Sequence, residues 1–132
     1  MSITLTAQDK STVRTAAYGA VALIAATGAP HKNISNGSIA LMSATGPVGH
    51  VLAAKTNDID LKGKSVAELA DRVLPALTAA VNLLAQQDPA ESENFRKTVL
   101  VAVEAAAQPQ QGETTPVVAA MVGKITAALA AA

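Results

Sequence analysis

The sequence predicts an all-α fold, a compact bundle of five or six helices forming a single domain over residues 1–132. Three observations carry this prediction. Apolar residues recur at three- and four-residue spacing along most of the chain, the period of a helix that buries one face. Apart from the short stretch Ser2 to Leu5, no run alternates apolar and polar residues as a strand would. Thirty of the 132 residues are alanine, the best intrinsic helix former.

The first helix is expected over about residues 7–27. Thr6-Ala7-Gln8-Asp9 reads as an N-cap with an acidic residue in the first turn, facing the positive end of the helix dipole. Val13, Ala17, Ala20, Val21 and Ile24 follow at helical spacing, and Gly28 with Pro30 supplies a stop. His31 to Gly37 reads as a polar loop. A second helical stretch is expected from Asn36 or Ser38, carrying Ile39, Met42, Val48, Val51 and Leu52. Gly46-Pro47 interrupts it with a sharp kink or a break into two short helices, because proline lacks the amide donor and disfavours helix at the residue before it. Lys55 to Lys64 is the most polar loop.

Ser65-Val66-Ala67-Glu68 is a capping-box pattern. It opens a helix whose apolar stripe is Val66, Leu69, Ala70, Val73, Leu74, Leu77, Val81 and Leu84, with a kink expected at Pro75. Asp88-Pro89 is a second start signal, with Asp as the cap and Pro at the first helical position. That helix runs to about Ala107 with Phe95, Val99, Ala102, Val103 and Ala106 facing inward. After the loop Gln108 to Gly112, Thr115-Pro116 opens a last helix carrying Val118, Met121, Val122, Ile125 and Leu129. Arg14 and Arg96 each precede an alanine-rich run, a faint internal echo.

Composition narrows the function. Net charge is zero and only 15% of residues are charged, which removes the phosphate neutralisation on which nucleic-acid affinity rests. One Tyr, one Phe and no Trp leave little for base stacking. Without cysteine there is no disulfide, thiolate metal site or thiol nucleophile. The alanine-rich uncharged run Thr15 to Pro30 is shorter than the roughly 20 apolar residues of a spanning helix. Asp9 sits where a signal peptide would be basic. A cytoplasmic protein with no membrane and no nucleic-acid partner is expected.

Each candidate site competes with a plainer reading. Gly63-Lys64-Ser65 opens a helix as a phosphate-binding loop does, but the earlier glycine of that motif is replaced by Asp58, and Ser65 is explained as a cap. Asp58 to Gly63 begins like a calcium loop, yet Lys62 stands at an oxygen-ligand position and Leu69 where the bidentate Glu belongs. His31 and His50 are the only imidazoles and share no helix face. No Gly-x-Ser-x-Gly elbow marks a nucleophile. Glu91, Glu93, Arg96, Lys97 and Glu104 read as a solvated charged face. The one convergence of hydroxyl, glycines and imidazole is Thr45-Gly46-Pro47-Val48-Gly49-His50. Thr45, Gly46, Gly49 and His50 are therefore the candidate small-molecule ligands, with no catalytic residue, metal ligand or cofactor assigned.

The helix beginning near Asp9, the capped stretch Ser65 to Leu84, and the tail from Phe95-Arg96-Lys97 through Gly112-Glu113 to Ala130 resemble small, uncharacterised all-helical actinobacterial proteins. More remotely, the tail resembles the tellurite-resistance-type helical domain, in which an acidic loop between two helices is associated with metal binding. The corresponding loop here, Gln108-Pro109-Gln110-Gln111-Gly112-Glu113, holds one carboxylate, so no ligand set carries over.

The leading expectation is a non-catalytic helical protein acting by self-association or through a protein partner. Leu100, Val101, Val117 and Ala128 lie off the main apolar stripes, and a helix apolar on a second face is either central or covered. Burial inside the monomer is expected for the fourth helix; for the C-terminal one a homodimer contact stands as an alternative to burial within the chain. The alternative is a small-molecule binder or hydrolytic enzyme using Thr45 to His50.

Overall fold

A computed structural model describes residues 4–27, 31–53, 65–107 and 116–131, with the backbone alone for 31–35. Among these residues six helices follow in order: α1 (Ala7–Ala26), α2 (His31–Met42), α3 (Gly46–Ala53), α4 (Val66–Gln87), α5 (Pro89–Ala107) and α6 (Pro116–Ala130). Among the described residues there is no strand.

Local chemistry places most helix ends. The Thr6 hydroxyl accepts the Asp9 amide at 3.0 Å, and the Asp9 carboxylate accepts the Thr6 amide at 3.2 Å. This reciprocal capping box starts α1. Ser65 accepts the Glu68 amide at 3.1 Å and starts α4. Asp88 serves two helices at once. Its amide donates to the Leu84 carbonyl at the end of α4, while its carboxylate accepts the Ala90 amide at 3.0 Å in the first turn of α5. A single non-helical residue therefore joins α4 to α5. The segment before α1 is tied to the far end of α4, where the Gln87 carboxamide bonds both the amide and the carbonyl of Thr4.

α1 and α5 are each in contact with every other helix, so they form the centre of the bundle. Val13, Ala16, Ala17, Ala20, Leu23 and Ile24 of α1 and Phe95, Val99, Ala102, Val103 and Ala106 of α5 are fully buried. The expected stripes of α4 and α6 also face inward: Val73, Leu77, Val81 and Leu84 are buried in α4, and Val118, Met121, Ile125 and Leu129 in α6. α4 continues through Pro75, which lies on its exposed side.

Three expectations are corrected. The stretch His31 to Gly37 is helical, not a loop, and α2 runs from His31 to Met42. Tertiary packing overrides the turn-forming residues, as it can for a short helix of weak intrinsic propensity. Gly37 is buried where α2 crosses α5: a Cβ there would lie 2.8 Å from the Ala102 carbonyl oxygen and 3.1 Å from the Ala106 Cβ. Among the described side chains of α2, Gly37 and Leu41, four residues apart, are the buried ones. That register turns Ile39 and Met42 outward, where they are 59% and 57% exposed, contrary to their expected place on an inward stripe. The Gly46-Pro47 interruption is a break, with Pro47 in the first turn of α3. In α5, Leu100 is half-buried but Val101 is 57% exposed, so burial within the monomer covers only one of the two.

Candidate functional site

Thr45 closes the connection between α2 and α3, Gly46 to His50 begin α3, and side chains of α5 hold the segment. Asn94 Nδ2 donates to the Thr45 carbonyl at 3.0 Å, and the Val48 amide donates to Glu91 Oε2 at 3.3 Å. Asn94 also donates to the Glu91 carboxylate at 3.4 Å. A carboxylate at the first turn of α3 satisfies an amide that has no partner within the helix and complements the helix dipole.

The two glycines have separate local causes. Gly46 has φ +76°, a conformation that L side chains rarely adopt, and a Cβ there would lie 2.9 Å from the Glu91 carboxylate. At Gly49 a Cβ would lie 2.1 Å from the Ala44 carbonyl oxygen, so only hydrogen fits. The structure therefore brings Thr45, Gly46 and Gly49 into one turn and occupies its polar backbone atoms with Glu91 and Asn94. His50 is exposed in the last turn of α3.

The C-terminal end of α3 is held from α1. Arg14, only 7% exposed, donates from Nε to the Val51 carbonyl at 3.0 Å, and the Tyr18 hydroxyl donates to the Leu52 carbonyl at 2.6 Å. Burial raises the Tyr18 phenol pKa above its ordinary value of 10.0, and the neighbouring Arg14 cation partly opposes that rise.

α6 is held at its end in the same way. Arg96 Nε donates to the Leu129 carbonyl at 3.2 Å, and Thr78 donates to the Ala128 carbonyl at 2.7 Å. The solvated charged face read from the sequence is therefore only partly a surface feature. Glu93 and Arg96 pair across it at 3.3 Å, but Glu91 serves α3 and Arg96 also serves α6.

A concavity lies at one end of the bundle. It is an open groove of about 550 Å³ between the last residues of α1 (Ala26, Thr27), the start of α4 (Val66) and the first half of α6. α6 contributes Pro116, Val117, Ala120, Met121 and Lys124. Val117 is 59% exposed, while Met121 is nearly buried. The Thr27 hydroxyl donates to the Ile24 carbonyl at 2.7 Å, so it helps close the end of α1. The sequence signals for this groove were Val117 lying off the main stripe and Lys124 standing as the one charged residue of α6. Neither places the groove without knowing which helix ends meet there.

Among the described residues no three of His, Cys, Asp and Glu are grouped so as to hold a metal ion. The Asp58 to Lys64 segment, the side chain of His31 and the loop Gln108 to Glu113 lie outside the described residues. No described helix is long and apolar enough to cross a membrane.

The class defined by these features is a six-helix all-α bundle built around α1 and α5. Compared with family models, curated proteins and solved structures, the chain matches none of them.

Proposed function

We propose that this protein acts without catalysis, by associating with a second copy of itself or with a protein partner through the outward side of α6. The observation that carries this reading is Gly123. It sits in mid-helix with nothing within 4 Å of where a Cβ would stand. A glycine at an exposed helix interior costs about 1 kcal/mol relative to alanine. Gly37 and Gly49 are each required by a close backbone contact inside the chain, and Gly123 is not.

The surroundings of Gly123 support the same reading. Ala119, Ala120, Ala127 and Ala130 are exposed on the same helix, and Lys124 is its one charged residue. An approaching helix would meet small side chains and little charge to desolvate. A cytoplasmic setting and the absence of nucleic-acid and membrane partners belong to this reading, supported by the zero net charge and by the lack of a spanning helix among the described residues. The resemblance to small bacterial helical proteins is part of the same proposal.

Sedimentation over a range of concentrations tests the proposal. Reversible dimerisation is expected, and Ala127→Glu should weaken it while leaving helicity unchanged. A strict monomer at every concentration, with no partner recovered on an immobilised sample, overturns it.

The second reading places a small-molecule or hydrolytic site at Thr45, Gly46, Gly49 and His50. It rests on the exposed imidazole of His50 close to the α2–α3 turn. Screening metabolites by thermal shift tests it: a ligand whose stabilising effect disappears in His50→Ala supports the site, and no such ligand counts against it.

A further inference from the structure

We infer that the groove between α1, α4 and α6 is a binding site for a small aliphatic carboxylate. Its volume of about 550 Å³ suits a small molecule better than a protein helix. Its walls are apolar at Ala26, Val66, Val117 and Met121, and the described residues that line it include no acid. Lys124 is the one charged residue among the described residues of the lining, and among the described residues it makes no ion pair.

The backbone favours the same sign of charge. α4 and α6 both begin at the groove; α4 carries Glu68 in its first turn, while α6 has no acid in its first turn and presents a positive N-terminal end. α1 ends there with the opposite polarity, but the Thr27 amide and hydroxyl cover its Leu23 and Ile24 carbonyls. An aliphatic chain would cover Val117, which is 59% exposed, while its carboxylate meets the Lys124 ammonium at the rim. A cationic or purely polar ligand would lose one of these two complementarities.

The inference does not depend on self-association, and its test separates the two. Decanoate below its micellar concentration is titrated into the full chain by calorimetry and by amide NMR, with decanol and acetate as comparison probes. Saturable binding of decanoate is expected, with shifts at Ala26, Val66, Val117 and Met121. Decanol and acetate should each bind more weakly.

Lys124→Gln should weaken decanoate about two- to fivefold, the loss expected for a solvent-exposed ion pair. Lys124→Arg should retain it. Ala26→Phe, which fills the groove from α1, should abolish binding, with circular dichroism checking its fold. Lys124→Gln is a surface change that does not threaten folding, so it decides the question alone if Ala26→Phe unfolds. At protein concentrations where the chain is monomeric, decanoate binding should be unchanged. Absence of saturable binding, equal affinity for decanol, an unaffected Lys124→Gln variant, or shifts confined to another part of the bundle each overturn the inference.

Discussion

Arg14 of α1 donates from Nε to the carbonyl of Val51, 37 residues further along the chain, at 3.0 Å. Val51 is itself buried, so the bond satisfies a helix-end carbonyl that water does not easily reach. α3 has eight residues, two of them glycine and one proline, and an isolated helix of that kind is not stable in water. It is held instead at both ends by groups of matching charge, Glu91 at its positive end and Arg14 at its negative end.

Replacing Arg14 by Met keeps an extended side chain but removes the donor and the charge. The loss of stability is expected to be about 1–3 kcal/mol, the range for removing a charged partner from a buried acceptor. Arg14→Lys should recover only part, since a lysine ammonium cannot reproduce the guanidinium geometry. Urea unfolding of the three proteins measures this. Equal midpoints for Arg14→Met and the parent would show that α3 does not depend on the bond.

Tyr18 links stability to alkaline pH. Its folded pKa lies above the unfolded value of 10.0, because burial penalises the phenolate more than Arg14 favours it. Above pH 10 the unfolded chain releases this proton more readily than the folded one. Stability is therefore fully present below that value and falls as pH rises through the raised folded pKa. The wild type should lose stability more steeply over this range than Tyr18→Phe. Tyr18 is the only tyrosine and there is no tryptophan, so ultraviolet absorbance of the phenolate titrates this one site. An ordinary titration midpoint in the folded protein would refute the linkage.

Two glycine substitutions should move stability in opposite directions. Gly49→Ala puts a methyl group against the Ala44 carbonyl at a distance that requires backbone movement, with an expected loss of about 2 kcal/mol or more. Gly123→Ala meets open space and gains helix propensity, so the dilute protein should be stabilised by about 1 kcal/mol. Thermal unfolding at low protein concentration compares them. If Gly123→Ala destabilises the dilute protein, an intramolecular role for that glycine would replace the one proposed.

Glu91→Gln retains an acceptor for the Val48 amide but removes the charge facing the first turn of α3. A loss of about 0.3–1 kcal/mol is expected at low ionic strength, shrinking as salt is added. Unfolding midpoints at two salt concentrations provide the measurement. A loss independent of salt would assign the role of Glu91 to shape instead of charge.

The helical class, the starts of α1, α4, α5 and α6, and the buried stripes of these four helices are legible in the sequence. Thr6, Ser65 and Asp88 act on amides two or three residues away, and Phe95, Val99, Ala102 and Val103 repeat within two turns. Signals of this kind need only neighbouring residues. The extent and facing of α2 are not legible in the same way, because they depend on Gly37 meeting the backbone of Ala102.

The same limit applies to the candidate sites. Thr45, Gly46, Gly49 and His50 stood together in the sequence as a ligand motif. Tertiary contacts gave Thr45 to Asn94 and set Gly46 against Glu91, while the local turn packed Gly49 on Ala44. Arg14, Glu91, Arg96 and Thr78 looked like ordinary helix residues, yet each reaches a helix end across 33 to 50 residues of chain. The groove beside Lys124 likewise exists only because the ends of three helices meet there. The sequence by itself determined which segments are helices and, for most of them, which side is buried, since periodicity and capping are local. The tertiary structure alone decided how the helices cross and which polar groups close their ends, since those contacts depend on the relative placement of whole helices.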